Sequence, residues 1–169
     1  SSWINALARQ KIAKTSSTPG KTVLLNLFRV GENYRLVDMP GYGYAKRSQD
    51  ERQEFQARVE PFLESRQNLG GVLLLMDSRR ELEHDEKMLT KFLDSRGIPW
   101  ALVLTKIDKL RKTEIEKLVK KYDRKFASPV FLTSSLDGTG IDELEKFFFT
   151  RWIKPALEHV KAAKAELVD

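Results

Sequence analysis

Apolar and polar positions along the chain fall into blocks of two periods. Ser1 to Ala8, SSWINALA, enters at once into an amphipathic helical pattern, with no strand or cap before it. Arg9 to Gly20 is polar and rich in Ser, Thr, Pro and Gly, the composition of a mobile loop. Thr22–Val30 and Tyr34–Met39 flank Gly31-Glu32-Asn33 and predict a β-hairpin. Gln49–Gln67 is a charged helix with Phe55, Val59, Phe62 and Leu63 at helical spacing, and its Pro61 marks a kink or break. Gly71–Ser78, GVLLLMDS, is a continuous apolar run of the kind found in strands buried on both faces. Glu81–Arg96 follows as a helix with Leu82, Met88, Leu89, Phe92 and Leu93 on its inner side, and Gly97 ends it. Pro99–Leu104 is a second buried strand, Lys112–Phe126 a lysine-rich helix and Pro129–Thr133 the last strand. A final helix begins at Ile141, packs Leu144, Phe147, Phe148 and Ile153, bends at Pro155 and frays over 161–169.

Strands alternating with helices of this length predict an α/β fold with a mostly parallel, helix-covered sheet and one antiparallel hairpin. There is no internal repeat, low-complexity tract or linker, so 169 residues make one domain, able to bury roughly two thirds of its unfolded surface. Three polar clusters, DMPG, TKID and TSS, each follow a different apolar strand. In open α/β sheets ligands sit beyond those carboxyl ends, so the clusters are expected to converge on one pocket.

Composition narrows the chemistry. With no cysteine and two histidines, His84 and His159, the chain lacks thiol nucleophiles, disulfides and the ligands of a cysteine- or histidine-built metal site. No wholly apolar run exceeds five residues, and a soluble protein without a membrane span or secretory leader is expected. A net charge of +6 suits a polyanionic partner such as RNA, although a merely basic surface explains the charge equally well.

Each cluster carries a specific possibility. Asp38, at a strand end, can accept from a metal-bound water while the N–H of Gly41 approaches a terminal phosphate too closely for a side chain to intervene. DMPG alone is a weak signal, because Asp, Pro and Gly are ordinary turn residues. Asp108 of TKID can accept from guanine N1–H and the 2-amino group. Adenine offers no matching donor pair, a mismatch that discriminates by about 10⁴. The stem of Lys106 can lie across the base, with Thr105 anchoring the loop, or Asp108 can simply cap a helix N-terminus beside a solvated lysine. Ser134 and Ser135 can close the far side with backbone N–H groups for guanine O6, or serve as turn residues. Thr22, on the segment TSSTPGKT, can offer its hydroxyl to Mg²⁺ and its N–H to a γ-phosphate, or begin a strand. Lys21 can reach phosphate or RNA.

SSWINAL, TSSTPGKT, DMPGYGYAK, TKID and TSS occur in the order and at about the spacing of the EngB family of ribosome-assembly GTPases, which the chain resembles over almost its whole length. The resemblance implies a three-layer P-loop NTPase fold of the Ras-like G-domain type. It also implies GTP and GDP binding with Mg²⁺, potassium as a candidate further cofactor, and hydrolysis of GTP as a switch. It further implies a role in large ribosomal subunit assembly linked to cell division and septation, with the large subunit or its rRNA as partner. A cytoplasmic monomer is implied, or an organellar one in a eukaryote, with no DNA and no stable membrane association. By resemblance, Ser1 is the phosphate-loop hydroxyl on Mg²⁺ and Ser2 lies near the α-phosphate. Gly20, Lys21 and Thr22 belong to the first switch, Thr22 as metal ligand. Asp38, Met39, Pro40 and Gly41 begin the second switch. Thr105, Lys106 and Asp108 read guanine, and Thr133, Ser134 and Ser135 close the base loop. Thr22, Asp38 and Gly41 carry the catalytic roles.

Two departures follow. The family's G-x-x-x-x-G-K loop belongs immediately before Ser1, so the chain is expected to be N-terminally incomplete, with a first strand and phosphate loop upstream. Tyr42 follows DMPG where other switch proteins carry a water-orienting glutamine, which predicts slow intrinsic hydrolysis. Two alternatives stay open: a non-catalytic RNA- or ribosome-binding module that retains the fold, and a guanine-nucleotide switch serving another partner.

Overall fold

The computed structural model describes residues 2–12, 25–39 and 59–166. The amphipathic start forms α1 (Ser2–Ala8), and the hairpin forms as β1 (Asn26–Val30) and β2 (Tyr34–Asp38), paired antiparallel with Phe28 opposite Leu36. The continuous apolar runs become β3 (Val72–Asp77) and β4 (Trp100–Thr105), and PVFLT becomes β5 (Val130–Leu132). Among the described residues these make two sheets, the hairpin and a parallel sheet of order β3-β4-β5. β3 and β4 pair from Val72 opposite Trp100 to Asp77 opposite Thr105, so all three parallel strands end on the same side. Helices α2 (59–65), α3 (His84–Ser95), α4 (Lys112–Asp123), α5 (Ile141–Phe148) and α6 (Lys154–Glu166) complete the set.

The period-two alternation of β4 divides the interior into two cores. Leu102 and Leu104 face one way, with Leu74 and Met76 of β3, onto Val59 and Leu63 of α2, Leu89 and Leu93 of α3 and Tyr122 of α4. Val103 faces the other way, onto Trp3, Ile4 and Leu7 of α1, Ile141, Leu144 and Phe148 of α5, and Phe28, Tyr34 and Leu36 of the hairpin. Helices therefore cover both faces, as three layers require. Ala101 to Leu104 are fully buried, and each large aliphatic among them contributes about 1.5–3 kcal/mol of transfer free energy.

Several details differ from the sequence expectation. β3 is covered only in part on its second face, where Leu73 packs on the second core but Leu75 is 41% exposed, on the side opposite Leu74 and Met76. Met88 also faces out, because Leu89, Leu93 and the buried Glu86 and Thr90 set the inner side of α3. α3 starts at His84 rather than Glu81, where the Glu86 carboxylate accepts the Glu83 N–H at 3.0 Å. α4 ends at Asp123, three residues short of the expected Phe126. The last helix is interrupted at Phe149–Ile153 by a π-helical turn in which the Lys154 N–H reaches Phe149 C=O. Pro155 has no N–H to continue the ladder, and the wider turn absorbs that loss. This turn brings the Trp152 indole against Gly71, where an added Cβ would lie 2.6 Å from the ring. Past it, α6 runs to Glu166. Ser1, most of the predicted loop to Gly20, Lys21 to Leu24, residues 40–58 and residues 167–169 lie outside the described residues.

Candidate functional site

The parallel register puts the ends of β3, β4 and β5 side by side, and the polar residues that follow them meet there. Thr105 closes β4 and its Oγ1 donates to Met76 C=O at 3.1 Å, tying the loop to β3. Lys106 then takes a left-handed conformation with φ of 59°, which is uncommon for a side-chain-bearing residue and is held at both ends. Its Nζ lies 3.0 Å from Asp77 Oδ2 and its C=O accepts from Ser78 Oγ at 3.3 Å. A single 3₁₀ turn, Ile107–Lys109, presents Asp108. The Ile107 N–H donates to Thr133 C=O, which joins this turn to the segment after β5.

Asp108 is positioned by its neighbours. Ser134 Oγ donates to Asp108 Oδ1 at 2.8 Å, and Lys109 Nζ lies 3.2 Å from Oδ2. The Ser134 hydrogen bond, followed by Lys109, holds the carboxyl below the ordinary carboxylate range, so it is ionised at neutral pH. Its side chain is 12% exposed, leaving an acceptor edge on a mostly enclosed anion. A carboxylate has about four acceptor positions, so two remain for a planar donor pair.

Ser134 is fully buried and works through Asp108. Its N–H donates to Thr139 C=O at 2.9 Å, so it does not offer itself to guanine O6 as expected. Its Oγ also accepts from the Leu136 N–H at 3.2 Å. Ser135 is exposed, and its N–H donates to no described residue. Thr133 is fully buried with its hydroxyl directed to Leu104 C=O, and so stabilises the strand ends from within. The segment is closed by Gly140, φ 71°, where a Cβ would stand 1.9 Å from Leu132 C=O; only glycine fits. Asp137 accepts the Thr139 N–H, and this bond is the main cause of its lowered pKa.

Three residues that the sequence motifs do not single out, Asp77, Ser78 and Arg79, complete the locality. Arg79 grips Asp77 with Nε at 2.9 Å and Nη2 at 2.7 Å, and with the Lys106 contact holds that carboxyl well below the usual range. A signal for them exists, since MDS ends an apolar strand just as DMPG and TKID do. Its residues carry no spacing motif, however, and the strand reads from its apolar run as core alone.

TKID and TSS are therefore brought together, whereas DMPG is only partly described. Asp38 ends β2, and Met39 packs its side chain on the core that holds Leu74 and Leu104, leaving only its backbone for a ligand. Ser2 is exposed in the first turn of α1. Ser1, Gly20, Lys21, Thr22, Pro40 and Gly41 lie outside the described residues, and with Ser1 and Thr22 go both expected direct magnesium ligands. Among the described residues no group of three acidic or metal-ligating side chains forms a cation site.

Comparison with known proteins identifies the family. A family model described as 50S ribosome-binding GTPase matches residues 1–106. The probable GTP-binding protein EngB of Bdellovibrio bacteriovorus is 47% identical over 155 residues, covering 91% of this chain and 78% of that protein. The corresponding protein of Francisella philomiragia is 41% identical over 154 residues, 86% of this chain and 78% of its own. Among solved structures, a probable GTP-binding protein EngB superposes with a TM-score of 0.71 at 21% identity, over 89% of this chain and 90% of that one. Era, solved with MgGDPNP and a 16S ribosomal RNA segment, gives 0.66 at 19% identity over 90% of this chain and 52% of its own, a likeness of fold. The chain belongs to the EngB family of GTP-binding proteins and is a GTPase.

Proposed function

We propose that residues 1–169 act as one G domain that hydrolyses GTP to GDP and phosphate as a magnesium-dependent switch in large ribosomal subunit assembly. One observation carries the nucleotide assignment: the ionised Asp108, fixed by Ser134 at 2.8 Å beside the clamped Lys106, at the common ends of β4 and β5. In this reading Asp108 accepts guanine N1–H and the 2-amino group, the Lys106 stem covers the base, Thr105 and Thr133 brace the loop, and Ser135 supplies an N–H near guanine O6. Ser1, Ser2, Gly20 and Lys21 serve the phosphates, and Thr22 and Ser1 hold the metal, which neutralises phosphate charge when bound. Asp38, Met39, Pro40 and Gly41 form the sensor of the terminal phosphate, with Thr22, Asp38 and Gly41 in the catalytic roles. Water is the nucleophile. Tyr42 provides no water-orienting amide, so intrinsic turnover is slow, with potassium or the partner as the accelerating factor.

The ribosomal role rests on the 50S ribosome-binding description of the matching family model and on the basic charge of the chain. The switch segments carry Tyr42, Tyr44, Lys46 and Arg47 to a particle or its rRNA, in a cytoplasmic monomer or its organellar counterpart, with the link to cell division following from subunit supply. Among the described residues no helix is long and apolar enough to cross a membrane.

Titration of the full chain with GDP, GTP and ADP in the presence of Mg²⁺ tests the assignment. GDP and GTP bind, and ADP binds more weakly by about 10³-fold or more. Equal affinity for ADP and GDP overturns it.

A further inference from the structure

Positive charge is dense in one described stretch of the chain. Residues 109–125 hold eight lysines and arginines against three aspartates and glutamates, a net charge of +5. This segment is the Asp108 turn's continuation into α4, and the packing of that helix fixes which side faces water. Tyr122 is fully buried and Leu118 packs on the core behind β4, while Lys117, Lys120, Lys121 and Arg124 are all exposed. Those four stand at i, i+3, i+4 and i+7, the spacing that places side chains in one row along a helix, about 5–6 Å from neighbour to neighbour.

Lys121 is engaged by Glu81 at 2.6 Å, but Lys117, Lys120 and Arg124 pair with no described carboxylate. Glu114 stands one turn before Lys117 and Glu116 one turn before Lys120, yet neither carboxylate closes an ion pair with these lysines among the described residues. From Lys117 to Arg124 the row spans about 10 Å at 1.5 Å per residue, a length that reaches more than one backbone phosphate of a nucleic-acid strand.

We infer that Lys117 and Lys120 of α4, with Arg124 at its C-terminal cap, form a docking surface for the sugar-phosphate backbone of RNA. A row of exposed cations along a helix meets a line of phosphates without base readout, by releasing the counterions condensed on them. Because α4 begins three residues after the turn that presents Asp108, the surface and the proposed guanine reader belong to one continuous stretch of chain. The inference rests on the ribosomal reading above for its partner and adds the contact face and its chemistry.

The test is binding of the full chain, loaded with a non-hydrolysable GTP analogue, to purified large ribosomal subunits and to a large-subunit rRNA fragment between 50 and 200 mM salt, roughly the range over which phosphate contacts dominate. The triple variant K117Q/K120Q/R124Q keeps helix-forming residues at exposed positions and leaves folding and GDP affinity at wild-type values. Its slope of log affinity against log salt is expected to fall by about 2–3, with affinity lowered about tenfold or more at the low-salt end. An unchanged slope overturns the docking surface even if the wild type binds. If the wild type binds neither particle nor RNA, the ribosomal reading itself falls and this inference with it. If the variant loses binding to phosphatidylserine vesicles but not to RNA, the row serves a membrane, and the RNA assignment is wrong.

Discussion

Gly140→Ala probes the hinge of the base-side loop. In the structure an added Cβ would sit 1.9 Å from Leu132 C=O, and contacts below 3.0 Å do not occur, so backbone must move by 1.1 Å at least. The left-handed φ of 71° adds about 1–2 kcal/mol for any side-chain-bearing residue, and forced displacement of packed backbone adds about 1–3 kcal/mol more. The sum, roughly 2–5 kcal/mol, is a large share of the 5–15 kcal/mol that holds a typical domain. At about 2–4 °C per kcal/mol for a chain of this size, Tm falls by roughly 4–20 °C. Gly138 is the internal control. Its φ is 81° but nothing lies within 4 Å of the place its Cβ would take, so Gly138→Ala carries the conformational cost alone, about 1–2 kcal/mol and roughly 2–8 °C. Thermal unfolding by circular dichroism separates the two. The displacement also has a direction: Thr139 C=O holds the Ser134 N–H, so moving Gly140 pulls Ser134 from Asp108, and GDP affinity at low temperature falls in G140A more than in G138A. A G140A melting point within about 2 °C of G138A would refute the close-contact argument.

Other expectations concern single groups. Asp108→Asn weakens GDP binding and favours xanthosine diphosphate, whose 2-oxo group suits an amide donor; retained guanine preference in competition titrations contradicts the assignment. Ser134→Ala frees the Asp108 carboxylate from its main hydrogen bond, so GDP affinity falls while GDP over ADP selectivity persists in part, and Ser134→Thr restores more than Ala does. Asp77→Asn releases the Lys106 ammonium: it weakens GDP and inosine diphosphate alike, without changing their ratio, and has no further effect in a Lys106→Ala background. Burial, with Glu145 nearby, pushes the Tyr34 phenol up to about 12. Because the folded pKa exceeds the unfolded value near 10, the folded state binds more protons there, and the stabilisation present below pH 10 is lost as pH rises from about 10 to 12. Spectrophotometric titration showing Tyr34 ionising at its unfolded value while the protein stays folded contradicts this.

Much of the fold is legible in the apolar runs, because WALVLT and VLLLMD have the length and β-branched or aliphatic content of interior strands and the helices between them return the chain to the same side. Strand-end polarity also places Thr105, Asp108 and Ser134 in one locality. Their particular duties are not readable, since Ser134 and Asp108 are far apart in the chain and only the tertiary fold brings the hydroxyl to the carboxylate. The Asp77 clamp escapes for the same reason: nothing local in MDSRR shows that Lys106 arrives there. Hydrophobicity puts Leu75 and Met88 inside, yet exposure depends on which neighbours cover a face, and periodicity within one element does not report that. Met39 shows the converse, a residue of a functional motif whose side chain packs in the core.

The seat of Trp152 on Gly71 has a consequence for the order of assembly. The two residues are separated by half the chain, and the contact closes the start of β3, the strand whose far end clamps Lys106. Contacts of such long separation form late, after the parallel pairing of β3 with β4 has shortened the remaining loop. The π turn at Phe149–Ile153 is then a final latch. With Trp3 and Trp100 replaced by Phe, Trp152 emission in stopped-flow refolding should lag the far-ultraviolet signal, and Gly71→Ala should lengthen that lag while leaving the earlier phase unchanged.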